Sequence, residues 1–230
     1  MYNNNEVISY LQANRILAAN LDHAVYAVNQ QIRGQIDTLG KGATRLLFYT
    51  SCFTDEYNDV CMQQKREDLR FRNAVIRIIQ HEDVVYEMLR IYFDEIFKHK
   101  ANEQLEHIKK ALMAVNVHIA ATTLTSAGYA LAVATSVRIG LNLSMQLSAL
   151  AGRAVGTAAG VVATYGLVQK AADSAHRLHV QYPAYYSALY MQQLEMIYFL
   201  IEPVFERAGA YEAQWSSDAS LANIITQMIR

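Results

Sequence analysis

Charge is distributed so unevenly along this 230-residue chain that it limits what the chain can fold into. Between Lys110 and Asp173 there are only three formal charges, Arg138, Arg153 and Lys170, all positive. Residues 1–110 carry 14 Lys/Arg and 15 Asp/Glu, whereas residues 111–230 carry 6 and 6. Six of the ten glycines also lie between residues 111 and 172. So long a charge-poor stretch has to be covered, by protein or by lipid. The order along the chain is a charged amphipathic region over 1–110, an apolar region over 111–172 and an aromatic-rich C-terminal region over 173–230, expected to share one compact domain.

Helix is the expected element throughout. Two prolines in 230 positions, with helix formers between them, suit long helices rather than short strands and turns. From Val7 the apolar positions Leu11, Ala18, Val25, Ile32 and Leu39 recur every seven residues. This spacing predicts an amphipathic helix over 5–38, ended by Gly40-Lys41-Gly42. A second helical region follows, with a break near Thr50 to Thr54. A third starts at His81-Glu82-Asp83, whose acids suit a helix amino end, and runs toward Lys110. Pro183 suits the first turn of a helix over 183–201, and a short helix over 217–229 closes the chain. Tyr182, Tyr185, Tyr186, Tyr190 and Tyr198 are expected in a core or, alternatively, in an aromatic belt at a membrane interface. The fold class is all-α, a multi-helix bundle around an apolar helical hairpin.

The apolar region carries a ladder of small residues at every fourth position: Gly128, Ala132, Ser136, Gly140, Ser144, Ser148, Gly152, Gly156, Gly160 and Thr164. Glycine costs about 1 kcal/mol relative to alanine within a helix. Gly152, Gly156 and Gly160 at helical spacing therefore need a compensating gain, which close helix-to-helix approach supplies. Each step of four turns the stripe by about 40°, so one straight helix could not present the whole ladder to one neighbour. Two helices, over 112–137 and 142–169, would form a hairpin. Ala111 to Val137 is long enough to span a bilayer, but Arg153 cuts the second arm into pieces too short to do so. Such a pair suits a helical hairpin stored in a soluble bundle and able to enter a membrane. A tightly packed hairpin in a bundle with no membrane role fits the same pattern.

Composition and motifs exclude more than they select. A hydrophobic fraction of 53% excludes disorder, and a net charge of -1 argues against a nucleic-acid partner. Gly34 to Gly42 has five residues between Gly34 and Gly40 and no Ser or Thr after Lys41, so it is not a phosphate loop. His81-Glu82 lacks a second histidine at position 85, which is Val85. Glu95, His99, Glu103 and His107 step by four along one expected helix face, without the Glu-x-x-His spacing of di-iron bundles, and read as solvated. His176 and His179, near Asp173 and Arg177, are candidates for a pH-responsive or phosphate-contacting pair. Cys52 and Cys61 match no redox or zinc motif and are too few for a disulfide scaffold. No catalytic motif, metal or cofactor is expected.

A charged helical region joined to an apolar hairpin with a Gly152/Gly156/Gly160 zipper resembles bacterial pore-forming toxins of the colicin type and membrane-depolarising effectors of contact-dependent secretion systems. The resemblance is architectural, covers 111–172 and includes no diagnostic motif. It implies synthesis in the cytoplasm without a signal peptide, export by a dedicated machinery, insertion into a target membrane, ion leak, and a cognate immunity or chaperone protein. Gly128, Gly140, Gly152, Gly156 and Gly160 are the expected helix-packing positions, and their ladder allows self-association. Arg138, Arg153 and Lys170 are expected to favour anionic headgroups of a lipid bilayer. The alternative is a soluble all-α interaction or adaptor protein with no membrane activity.

Overall fold

The computed structural model describes residues 41–42, 44–45, 47–80, 83–115, 117, 125–141 and 158–229. The described residues form helices and connecting turns, so the all-α bundle is correct. The principal helices are α1 (Asn58–Ile79), α2 (Val84–Phe97), α3 (Asn102–Ala114), α4 (Ser126–Gly140), α5 (Ala158–Gln181), α6 (Pro183–Met191), α7 (Glu202–Ala208) and α8 (Asp218–Ile229). Three 3-10 helices, Tyr49–Phe53, Glu195–Leu200 and Ala210–Trp215, fill connections. The heptad helix expected over 5–38 lies outside the described residues. Lys41 and a buried Gly42 are helical, and the expected stop at Gly40 lies outside the described residues with the helix it would end.

Two compact units result, one from residues up to 79 with 147–174, the other from 80–146 with 175–230. Helix α5 contributes to both, up to Ser174 in the first and from Ala175 in the second. In the first unit the 3-10 turn Tyr49–Phe53 packs on α1, and a disulfide joins Cys52 to Cys61, Cα atoms 4.9 Å apart. The pair closes a short loop at the break expected near Thr50 to Thr54.

The second unit is built on α2. Asp83 caps this helix, its Oδ1 accepting from Tyr86 N–H at 3.0 Å. Val84, Val85, Met88, Leu89, Tyr92, Phe93, Ile96 and Phe97 are all buried, adjacent pairs one helical turn apart that give α2 a broad apolar face. It packs against α4 and α6, while α8 packs against α3, α4 and α7. Tyr92 meets the rings of Phe93, Tyr182, Tyr185 and Phe205 at centroid distances of 4.6–6.4 Å. Its hydroxyl donates to the carbonyl of Ala210 at 2.7 Å, and that of Tyr185 donates to the carbonyl of Met88 at 2.8 Å. Tyr182, Tyr185 and Tyr198 are thus core residues, and Tyr186 and Tyr190 are half-buried.

Three expected helices end sooner. The third stops at Phe97, and the chain turns through Lys98 to Ala101 before α3. Residues 112–137 are not one helix, because α3 ends at Ala114 and α4 begins at Ser126 after the Thr125 cap. The helix over 183–201 breaks after Met191. There Gln193, at φ 56°, donates to Tyr190 O and Leu194 donates to Leu189 O, a left-handed helix ending in a position glycine usually takes. Buried Leu194 covers the turn. The arm expected over 142–169 is longer at its C-terminal end, since α5 continues past Lys170 to Gln181. The two ladder arms fall in different units, α4 in the second and 147–174 in the first. The closing helix, α8, matches its expected span to within a residue.

Two stability measurements test this core and its staple. Burial pushes the phenols of Tyr92, Tyr185 and Tyr198 well above their usual value of 10, and that of Tyr182 up to about 12. Below pH 10 these groups are neutral whether the chain is folded or not. Above it the unfolded chain ionises first, so stability falls by about 1.4 kcal/mol per pH unit for each buried tyrosine. Urea midpoints should therefore hold up to pH 10 and collapse between pH 10 and 12. Reduction of Cys52–Cys61 should lower the stability of the first unit by about 2–3 kcal/mol, read as a shift in its urea midpoint with and without a dithiol.

Candidate functional site

Helix α4 is the described arm of the ladder, and its two sides differ. Tyr129, Ala130, Val133, Ala134 and Val137 are buried and face the core. On the other side Ala127, Leu131, Thr135 and Ile139 are exposed, with Leu131 at 48% and Ile139 at 78%. Gly128, Ala132 and Ser136 lie half-buried along the margin. This outer surface holds no acidic side chain. Its two hydroxyls are satisfied inside the helix, Thr135 Oγ1 donating to Leu131 O at 2.8 Å and Ser136 Oγ to Ala132 O at 3.0 Å. Such back-bonding lets serine and threonine sit in apolar surroundings without an outside partner.

The ladder positions do not act as one stripe. Gly140 is the place where α4 meets another backbone: a Cβ there would collide with the carbonyl of Ile229 at the end of α8. Its lack of a side chain serves packing within the second unit. Gly128 lies in the first turn of α4, where its N–H donates to the Thr125 cap at 3.1 Å. Gly152 and Gly156 lie outside the described residues, as does the side-chain environment of Gly160 at the start of α5.

The three cations of the apolar region also separate. Arg138 Nε donates to both oxygens of Asp83, at 2.9 and 3.1 Å, joining the end of α4 to the cap of α2. In this fold its partner is thus internal. Lys170 is exposed on α5, and Arg153 lies outside the described residues.

The charged centre of the first unit has no signature in the sequence. Arg45 is wholly buried, and its guanidinium donates to Asp68 Oδ1 at 2.6 and 3.0 Å, to Glu67 Oε2 at 3.0 Å and to Gln169 Oε1 at 3.2 Å. Nη2 also donates to the carbonyl of Gln64 at 3.2 Å. The Tyr49 hydroxyl donates to the other oxygen of Asp68, and the Tyr49 ring meets Tyr165 of α5 edge-on at 6.4 Å. Lys41 pairs with Asp173 at 3.5 Å, and Gln169 Nε2 donates to Asp173 at 2.8 Å. The cluster thereby fastens the first half of α5, which begins beside the glycine zipper, to α1 and the segment before it. Nothing in the local spacing of these residues announces the contact.

The histidine candidates are not gathered into a site. Glu95 lies on α2, His99 in the turn after it, and Glu103 and His107 on α3, so these four do not share one helix face; Glu95 instead pairs with Lys98 at 2.5 Å. His179 stacks on Tyr186 at 4.3 Å, His176 is exposed, and Arg177 holds both oxygens of Glu202 at 2.7 and 2.8 Å. Among the described residues no group of three or more His, Cys, Asp or Glu is placed to hold a metal ion, and no helix is long and apolar enough to cross a membrane. The chain matches no family model, and no curated protein or solved structure is significantly similar to it.

Asp68→Asn leaves Arg45 buried without its main counter-charge. It should destabilise the first unit by about 3–5 kcal/mol. Hydrogen exchange would show the loss as faster exchange in α1 and the first half of α5, with α2 and α4 unchanged.

Proposed function

We propose that the chain permeabilises membranes, with the charge-poor region 111–172 entering the bilayer and the charged remainder keeping the protein soluble beforehand. The observation that carries this reading is the outer face of α4, which holds no acidic side chain, keeps its one cation, Arg138, paired with Asp83, exposes Leu131 and Ile139, and satisfies its own hydroxyls. Apart from the Arg138–Asp83 pair, a surface so made loses little on leaving water, because its hydroxyls strand no unpaired donor. Its margin of small residues allows close approach by a second helix. At 15 residues α4 is shorter than a span, so insertion on this reading recruits neighbouring parts of the charge-poor region. Delivery by a dedicated secretion machinery, action at a target membrane and an immunity partner belong to the same proposal.

A soluble interaction protein is the second reading. The pairing of Arg138 with Asp83 and the close approach of Gly140 to Ile229 favour it, because both commit features of the apolar region to internal packing. Planar-bilayer recording separates the two. Wild-type protein should produce ion conductance, and L131E/I139E should reduce it at least tenfold, since two acidic side chains add about 5 kcal/mol to insertion. Far-UV circular dichroism should not change, because both positions are exposed. Absence of conductance in wild-type protein across a range of pH would leave the interaction reading; full conductance in the variant would remove α4 from the mechanism.

A further inference from the structure

The face of α1 turned away from its buried side carries a second surface that the conductance argument does not use. Cys61, Gln64, Asp68, Phe71 and Ala74 form the buried side. Met62, Leu69 and Ile76 lie on the other, exposed by 52, 57 and 37%. A step of seven drifts by only about 20° around a helix, so these three side chains make one continuous apolar strip. Lys65 and Arg72 run along one edge of it, and Arg66, Arg70 and Arg77 along the other. Arg66 and Arg72 are exposed. Asp59, in the first turn, is the one acidic residue on this face of α1, because Glu67 and Asp68 bond to Arg45. The buried ion cluster thus has a second effect: by drawing both mid-helix acids toward Arg45, it leaves the outer face basic.

We infer that this face of α1 docks on an anionic bilayer surface, with Met62, Leu69 and Ile76 entering the headgroup boundary and Arg66 and Arg72 meeting lipid phosphates. An apolar strip with basic edges is the pattern of a helix lying in the membrane interface. Charge selects this occupant over a second copy of the chain, whose identical basic edges would repel. An apolar protein groove would leave the arginines without a role. The inference rests on the membrane reading and adds to it the surface that first meets the target.

The test is flotation of full-length protein with vesicles of phosphatidylethanolamine and phosphatidylglycerol, against vesicles of phosphatidylcholine. Wild-type protein should float with the anionic vesicles. R66Q/R72Q should weaken that binding roughly 30-fold, at about one tenfold step or slightly less per cation near the surface. Leu69→Ser should weaken it at least tenfold. In Leu69→Cys, the new thiol should react with a polar maleimide in solution and be protected by anionic vesicles. Equal binding to phosphatidylcholine, or variants that float as wild type does, would overturn the proposal. So would a thiol already unreactive in solution, which would mean that the chain itself covers the strip. A change in oligomeric state on Leu69→Ser, with vesicle binding intact, would assign the strip to a second copy and equally overturn it. Conductance without any loss of docking in these variants refutes the docking face alone. Docking by wild-type protein without conductance supports the docking face and refutes permeabilisation.

Discussion

The second unit depends on the burial of Tyr92. Its ring touches aromatic side chains from α2, the α5–α6 junction, α6 and α7, and its hydroxyl reaches the turn at Ala210. One side chain therefore sets the spacing of elements that lie up to 118 positions away in sequence. Edge-on contacts among such rings add roughly 0.5–1.5 kcal/mol each beyond the area they bury. The geometry also fixes where tolerance ends. A ring displaced from this centre would uncover Tyr185 and Phe205 and remove the hydrogen bond that holds the Ala210 turn. Tyr185 repeats the arrangement through its own bond to Met88 O, so each of these buried phenols fixes a backbone carbonyl as well as filling space.

Local patterning made much of the helical content legible. The Asp83 cap, the proline at the start of α6 and the alternating apolar turns of α2 and α8 each have a signature within one or two turns of chain. What was not legible depends on distance or on exceptions to a residue's usual habit. The turn at Gln193 has no glycine to mark it, and the stop at Phe97 follows no breaker. The Arg45 cluster joins residues 23 and 124 positions apart, and nothing in the sequence says that Arg45, rather than any other arginine, is buried. The candidate site was legible only as a ladder. Its regular spacing hid the fact that successive small residues on α4 do different things: Gly128 bonds to a cap, Ser136 closes a bond inside its helix and Gly140 admits a backbone.

The scarcity of charge in the middle of the chain also has a different physical meaning once the partners are known. Arg138 is counted among the cations of the apolar region, yet it sits against Asp83 at the end of a helix from the charged region. A half-exposed pair of this kind contributes little to stability, about 0–1 kcal/mol. Its consequence is local: it ties the α2 cap to the end of α4 and leaves the outer surface of α4 without a free-standing ion. On α1 the effect runs the other way, since inward pairing of Glu67 and Asp68 makes the exposed face more basic. Internal ion pairs thus shape both candidate surfaces, one toward neutrality and one toward positive charge.

That division bears on how a helix already packed in a protein core could, on the proposed reading, meet lipid. Undocking α4 exposes Tyr129, Val133 and Val137, each worth roughly 1.5–3 kcal/mol of burial, so release into water is strongly unfavourable. Transfer into hydrocarbon is different, because those side chains exchange one apolar setting for another while Leu131 and Ile139 gain burial they lack in this fold. What such a transfer loses is the packing of Tyr129 on Phe97, 4.9 Å between ring centroids, and the fit of Gly140 against Ile229. It must also break the Arg138–Asp83 pair. These are small, local terms beside the cost of exposing the whole inner face to water. With its one cation held by Asp83, α4 on the proposed reading would exchange its packed partners for lipid only where a membrane is already in contact, which is the condition the proposed docking face would provide.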